Sequence, residues 1–367
     1  MPTVAERGIG SEAKGPSQLA TYAMAQPKIA DQHPPRPVSY LGPLEPHATS
    51  PAFLFGGAGF IGRHLAQALV ARGHRPVVLC DVAQPRWPVT NDVRFRHCDV
   101  RRPIELAEAD ASALVFNLAA VHRTPGHEDH EYHETNELGA RHVTDFCDRH
   151  DVADLWFTSS IAVYGATEDA VTETSPLQPS SAYGRSKAAA EDIHEEWARA
   201  RPGRRLVTVR PGTVFGPGEG GNFTRLAWAL KRRRFVYPGR RDTIKSCGYV
   251  GDLVESLFFM QRDAAPTVTY NFSYAPPPTI EEVCAAFAEV GRLPRPLGTV
   301  PLPLMLAASR ILHKAGVESF RPERVHKLNR STNIQPRVLV ESGFPFPTTL
   351  RTGLAAWRDA DPAGEFV

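Results

Sequence analysis

Short apolar runs alternate with stretches of helical period along the chain from residue 52 onward. Ala52-Phe53-Leu54-Phe55 reads as a buried strand. It enters FGGAGFIG and then IGRHLAQALVARG, where Ile61, Leu65, Ala68 and Leu69 mark one buried helical face and Gly73 suits the stop. Further strands are predicted at Pro76 to Cys80, ending in Asp81, at Val93 to Phe95, ending near Asp99, at Ala113 to Asn117, at Leu155 to Thr158 and at Leu206 to Val209. Helical segments lie between most of them. Apolar strands separated by helices predict an α/β fold with a parallel sheet covered on both faces.

After Pro211 the pattern changes. Gly and Pro cluster in GTVFGPGEGGN, a helix is expected from about Phe223 to Arg234, and a strand around Val268 to Ser273 returns to the sheet. Thr279 and Glu282 have the spacing of a capping box that opens a helix. Residues 1–50 lack periodicity, contain Pro34, Pro35, Pro37, Pro43 and Pro46, and read as a flexible tail. The resulting division is a dinucleotide-binding domain at 51–211 with returning segments near 245–275, a smaller substrate lobe at 212–244 and 276–358, and a C-terminal tail at 359–367.

Composition narrows the class. An apolar fraction of 42% over 367 residues is ordinary for a globular chain. A formal net charge of +2 argues against a nucleic-acid partner. Five cysteines without a CxxC pair favour reduced packing residues over a disulfide frame or a zinc site. No apolar run approaches the roughly 18 residues of a membrane span, and no hydrophobic signal core opens the chain, so a cytoplasmic protein is expected. His122, His127, His130 and His133 are dense, but their spacing spreads around a helix and no metal site is expected. The basic run Lys231-Arg232-Arg233-Arg234, with Arg240 and Arg241, reads as a solvated helix end, with a phosphate or an anionic membrane as the other reading.

Two motifs carry chemistry. Gly56, Gly59 and Gly62 form a GxxGxxG turn between strand and helix, suited to close backbone approach and to a pyrophosphate at the helix N-terminus. Asp81, at the end of the second strand, suits the adenosine ribose hydroxyls and repels a 2′-phosphate, which favours NAD over NADP. Asp99 would meet the adenine or cap a helix. Asn117-Leu118-Ala119-Ala120 ends the fourth strand with small residues beside the cofactor. Tyr183 and Lys187 stand four apart and share a helical face. A neighbouring ammonium favours a phenolate, so Tyr183 would act as acid or base near neutrality. Ser160, ending LWFTSS, would hydrogen-bond the substrate oxygen, and Asn136 would serve as a structural or proton-relay residue. His122 and Arg123 would border the substrate.

In chain order GGAGFIG, Asp81, CDV around Asp99, NLAA, Thr135-Asn136, TSSIAVYG, YGRSK, RPGTVFGPG, GYVGDLVESL and ESGFPFP resemble the extended short-chain dehydrogenase/reductase family, the NAD-dependent epimerase/dehydratase group, over about residues 52 to 355. That resemblance implies a Rossmann-type doubly wound parallel sheet with a smaller C-terminal substrate-binding domain. It implies Ser160, Tyr183 and Lys187 as the catalytic set. It also implies an NAD site of Gly56, Gly59, Phe60, Ile61, Gly62, Asp81, Asp99, Val100, Leu118, Ala119, Ala120, Tyr183, Lys187 and Pro211. The implied substrate is a nucleotide-diphosphate sugar, with the Asn222 amide and Lys245 at its diphosphate. A homodimer is implied through the helix of Tyr183 and Lys187, where Ala188, Ala189 and Ala190 would permit close approach. The chain departs from the family pattern at Phe55, Thr213 and Phe215, and it has the single acid Asp252 where two are frequent.

The residues after Ser160 bear on the reaction. The family's 4,6-dehydratases carry Asp-Glu there, and its reductase/3,5-epimerases carry a Cys at the second position. Here the pair is Ile161-Ala162, which cannot transfer a proton. A nucleotide-sugar 4-epimerase that removes and returns hydride is the favoured expectation. A 4-keto nucleotide-sugar reductase or dehydrogenase is the alternative. A sterol- or flavonoid-type carbonyl reductase and a non-catalytic dinucleotide-binding regulator stand further off.

Overall fold

The computed structural model describes residues 50–122, 126–261, 265–314, 322–361 and 363–366. In chain order the strands are β1 (Ala52–Phe55), β2 (Val77–Asp81), β3 (Val93–His97), β4 (Leu114–Asn117), β5 (Asp154–Thr158), β6 (Thr167–Val171) and β7 (Arg205–Pro211). They continue with β8 (Thr213–Phe215), β9 (Tyr237–Pro238), β10 (Cys247–Tyr249), β11 (Thr267–Phe272), β12 (Thr299–Val300) and β13 (Thr332–Ile334). The helices are α1 (Phe60–Ala71), α2 (Asp129–Tyr132), α3 (Gly139–Arg149), α4 (Ala182–Arg199), α5 (Asn222–Lys231) and α6 (Val250–Met260). They continue with α7 (Ile280–Gly291), α8 (Leu302–Lys314), α9 (Pro322–Asn329), α10 (Arg337–Glu341) and α11 (Leu350–Ala360).

Seven strands make one parallel sheet in the order β11-β7-β5-β4-β1-β2-β3. The order reverses direction between β1 and β4, and a doubly wound sheet opens a crevice at such a point. Alternation within each strand assigns side chains to two layers. Ala52 and Leu54 face α1 and α6, whereas Phe53 and Phe55 face α3 and α4. Phe116 stacks on Trp156 at 4.6 Å on the first side, and Phe146 of α3 meets Phe53 and Phe55 at 5.5 and 5.4 Å on the second. Both layers exclude water, which explains why these strands read as continuous apolar runs in the sequence. All five cysteines are free and buried, as packing residues.

The strands after Pro211 build a smaller lobe with its own aromatic core. Phe215 stacks on Phe223 at 4.6 Å, and Trp357 and Phe287 close the cluster. The lobe returns to the main sheet once, through β11. The segment around 245–275 gives β10, paired with β8, and β11, which extends the main sheet. The expected capping box is present, with Thr279 and Glu282 exchanging bonds at the start of α7. Helix α5 stops earlier than expected, because Arg233 turns left-handed at φ 53° just past its end.

Two expectations are corrected. The segment 359–367 is not a loose tail over its described part. Phe366 is fully buried against Phe287 and Trp357 at 5.1 and 5.4 Å, and Glu365 pairs with Lys231 at 2.6 Å. Ala190 is not available to a helix-pairing dimer, because it is fully buried in the layer between α4 and the sheet, while Ala188 packs beside Val163 and Tyr164. Of the expected N-terminal tail, residues 1–49 lie outside the described residues, and Ser50 is already buried. Phe366→Ala should lower the unfolding free energy by roughly 3 to 5 kcal/mol, the cost of deleting a core ring. Urea denaturation measures it, and a wild-type midpoint would show that the C-terminal segment is no part of the lobe core.

Candidate active site

The crevice between β1 and β4 is lined by the glycine turn. Gly56 follows β1 with φ +78°, and a Cβ there would lie 2.6 Å from the Ala119 amide nitrogen. Across the crevice Leu118 donates its amide to the Phe55 carbonyl at 2.8 Å. A Cβ at Gly62 would lie 2.4 Å from the Gly57 carbonyl, so only glycine lets α1 rest on the turn. Gly59 is the exposed N-cap of α1 and supplies no side-chain cap, with Phe60 and Ile61 half-buried behind it. Asp81 accepts amide bonds from Ala58 and Ala83, both at 3.1 Å, and so joins the end of β2 to the glycine turn. An uncapped helix N-terminus, a turn too tight for side chains and a carboxylate beside it fit a dinucleotide: pyrophosphate at α1, ribose at Asp81.

The other expected cofactor residues divide. Ala119 and Ala120 are half-buried at the end of β4, and Pro211 ends β7 on the same edge of the sheet. Val100 is buried, packs toward Gly139 and accepts from the His142 ring at 2.7 Å. Asp99 is gripped by the Arg101 guanidinium at 2.7 to 3.1 Å, which holds its carboxyl below the usual range. A pocket of about 390 Å³ at His97 to Leu106 includes Asp99 but no residue of the glycine turn, so it is distinct from the crevice.

The catalytic candidates converge at the carboxyl edge of β5. Ser160 follows that strand in extended conformation and caps a 3-10 turn (Ile161–Tyr164), its Oγ accepting from the Ala162 amide at 3.1 Å. The same hydroxyl faces Tyr183 and acts on its titration. Tyr183 stands in the first turn of α4, whose start is set by Ser181 accepting from the Gly184 amide at 3.1 Å. Lys187, one turn on, is 2% exposed and donates to the Thr158 carbonyl at 2.8 Å, with the Phe157 ring 4.7 Å from its Nζ. Burial pushes its ammonium down to about 7, against the pull of Glu191. Tyr183 shows a correction. The chain's own groups do not bring it toward neutrality: burial raises it, the Ser160 hydroxyl opposes, and Tyr132, ring to ring at 6.3 Å, adds to the rise.

Asn136 is buried in a π-helical stretch (His133–Leu138) and does not touch the reacting set. It accepts from the Val121 amide at 2.9 Å and donates to the Val121 carbonyl and the Ser186 hydroxyl at 3.1 and 2.8 Å. It therefore fastens the loop after β4 to α4, a positioning task.

The expected substrate residues are arranged otherwise than the sequence suggested. His122 is exposed after β4, and Arg123 lies outside the described residues. Asn222 is the first residue of α5, where its side chain accepts from Arg225 at 2.8 Å. The N-terminus of α5, expected to suit a phosphate, is covered by the Glu219 carboxylate, which accepts from the Thr224 amide and hydroxyl at 3.0 and 2.8 Å. Lys245 donates to the Lys327 and Arg330 carbonyls at 2.9 and 2.6 Å, closing the C-terminal end of α9. Burial lowers its ammonium to about 8. His127 and His133 pair with Glu131 and Glu137, and no group of three metal-binding side chains gathers among the described residues.

The sequence reading missed the groups beneath Lys187. Glu191 and Arg210 form a nearly inaccessible ion pair at 2.6 Å. Ser159 donates to Glu191, Arg210 donates to the Tyr164 hydroxyl at 2.6 Å, and Tyr164 donates to Asn271 at 2.9 Å. His194 stacks on Phe157 at 4.1 Å and is held neutral by burial, its ordinary value lowered to about 4. The signal was present: Glu191 follows Lys187 by one helical turn, on the same face.

Together the crevice and this edge define an NAD-dependent enzyme of the extended short-chain dehydrogenase type. The model of the NAD dependent epimerase/dehydratase family matches residues 52–272, and the chain belongs to that family. It is 29% identical over 312 residues to the N-acetyl-alpha-D-glucosaminyl-diphospho-ditrans,octacis-undecaprenol 4-epimerase of Escherichia coli O157:H7, covering 82% of this chain and 92% of that one. It is 25% identical over 333 residues to a 4-hydroxy-2-methyl-3-oxo-4-farnesyl-3,4-dihydroquinoline-1-oxide ketoreductase of Stigmatella aurantiaca, covering 85% and 97%. Its structure matches MoeE5 in complex with UDP-glucuronic acid and NAD with a TM-score of 0.66, 26% identity and coverage of 84% and 97%.

The buried lysine has a measurable consequence. Its folded value, about 7, lies below the value near 10.5 of a free lysine, so between these the unfolded chain binds more protons and stability rises with pH. Lys187→Met should remove that rise, on the order of a few kcal/mol between pH 7 and 10. Melting temperatures across that range for both proteins measure it, and parallel profiles would show that Lys187 is not desolvated.

Proposed function

We propose that the chain is a 4-epimerase of a sugar joined to a diphosphate. The observation that carries this reading is the gathering of Ser160, Tyr183 and buried Lys187 at the edge that also holds the glycine turn. Ile161 and Ala162, next to Ser160, present only hydrocarbon, which favours hydride chemistry at one carbon over elimination. NAD, held at the glycine turn and Asp81, would supply a hydride acceptor and donor for the reacting carbon. Tyr183 takes the proton of the sugar hydroxyl as that hydride leaves. Ser160 donates to the ketone oxygen, and Tyr183 returns the proton after the sugar has turned its other face. Lys187 supplies a positive charge next to the phenolate, and its lowered value leaves that charge sensitive to pH near neutrality.

Two carriers share the diphosphate chemistry. MoeE5 is solved with UDP-glucuronic acid, and the Escherichia coli relative is named for a sugar on undecaprenyl diphosphate. The side chains expected at a nucleotide diphosphate are engaged elsewhere: Lys245 caps α9, and Glu219 covers α5. That bears on both carriers alike; the similarity to the Escherichia coli relative over 92% of its length is what favours the polyprenyl carrier.

The test joins two assays. Nucleotide released from the purified protein is identified by mass spectrometry, and UDP-N-acetylglucosamine and polyprenyl-diphospho-N-acetylglucosamine are each offered without added cofactor. Tightly held NAD with epimerised product supports the reading, and the better substrate identifies the carrier. Protein that purifies empty and consumes NAD(P)H stoichiometrically with a 4-keto sugar is a reductase, and the proposal fails. Tyr183→Phe should retain bound NAD and lose about 10²- to 10⁴-fold in turnover.

A further inference from the structure

Helix α8 presents hydrocarbon to water. Its inner side, with Leu302, Met305, Leu306 and Leu312 half-buried and Ser309 fully buried, packs on the lobe, where α9 is its neighbour. Its outer side is Leu304, Ala307, Ala308 and Ile311, all exposed. Leu304 is 62% and Ile311 68% accessible, and they stand two helical turns apart on one face. A surface helix of a globular protein normally turns polar residues outward, and one that is apolar all round is normally covered on both sides. No described element covers the outer side of α8.

Charge indicates what does. Arg310 and Lys314 flank the apolar stripe near the C-terminal end of α8, exposed and with no ion pair among the described residues. The described parts of α8 and α9, with the adjoining Arg330, carry Arg310, Lys314, Arg324, Lys327 and Arg330 against Glu323 alone. A self-complementary protein interface would need acidic partners on the same face. An apolar stripe with a cationic border is complementary to a layer of anionic headgroups over acyl chains. The helix does not span: no described helix is long and apolar enough.

We propose that α8 docks this protein on anionic lipid bilayers, lying in the interface with Leu304 and Ile311 in the acyl boundary. The helix pair adjoins the catalytic edge. Lys245 ties the end of α9 to the segment leading into β10, and β13, just beyond α9, pairs with β6, which follows the Ser160 turn. Docking there would hold the cleft beside a diphosphate-linked sugar embedded in the same membrane. That purpose rests on the reading given under the proposed function; the binding itself does not.

The test is sedimentation of the full chain with phosphatidylglycerol/phosphatidylcholine vesicles, with pure phosphatidylcholine as the comparison, alongside turnover in solution of UDP-N-acetylglucosamine and of detergent-dispersed polyprenyl-diphospho-N-acetylglucosamine. Binding is expected to the anionic vesicles only, to weaken at high salt, and to fall at least tenfold in Leu304→Ser/Ile311→Ser and in Arg310→Glu/Lys314→Glu. Both variants change exposed side chains and should keep the melting temperature and the soluble turnover of the wild type. No binding by a folded, active wild type, or binding untouched by either pair of changes, overturns the docking and leaves the epimerase reading standing. A dimer by light scattering that dissociates in Leu304→Ser/Ile311→Ser, without vesicle binding, identifies the face as a contact between copies and also overturns it. Vesicle binding without epimerase turnover of either substrate would instead remove the functional reading and leave the docking intact.

Discussion

The Lys187 ammonium sits where water is excluded, and much of the catalytic edge is arranged around that fact. A lone charge in such a place would be prohibitive. The Thr158 carbonyl accepts a hydrogen bond from it, the Phe157 ring lies under it, and Glu191 offsets part of the desolvation. Glu191 cannot stand alone either, so it is matched by Arg210 from β7 and by the Ser159 hydroxyl from the end of β5. Arg210 leads to Tyr164, and Tyr164 to Asn271 on β11. One chain of buried polar contacts thus links α4 to the ends of three neighbouring strands. Such a network has few alternative arrangements that leave every member satisfied, and this fixes where Ser160 and Tyr183 can lie.

The same economy governs groups that the sequence marks as anion ligands. The N-terminus of α5 has unpaired amides by geometry, and Glu219 supplies the anion from within the chain. Lys245 meets the negative end of α9 in the complementary way. By contrast α1 has no side-chain cap at Gly59, although it follows a turn too tight for side chains. Two helix ends are therefore satisfied by the protein, and the one at the crevice is left for a ligand. The outward face of α8 makes the parallel case for apolar surface: most such area is buried in three layered clusters, and this stripe is left uncovered.

The sheet was legible because its strands are buried on both faces, which imposes continuous apolar runs that no loop would carry. β1, β2, β4 and β5 lie within a residue or so of their expected bounds. The glycine turn, Asp81, Ser160, Tyr183 and Lys187 were legible as well, because backbone approach and proton transfer admit few residue types. Less legible were contacts between residues far apart in the chain. β6 pairs with β13 across more than 150 positions, and Phe366 fills a gap left by Phe287 and Trp357 although it ends an otherwise polar segment.

What the chain determines by itself is local: where a strand must be apolar, where a turn must be glycine, and which side chains share a helical face. That suffices for the doubly wound fold and for singling out Ser160, Tyr183 and Lys187 as candidates. Tertiary structure alone decided the electrostatics. Whether a lysine is a ligand or a helix cap, whether a tyrosine is raised or lowered, and whether a leucine is core or surface depend on which distant residues come to lie against it. Desolvation and pairing are properties of those neighbours, and one-dimensional spacing does not encode them.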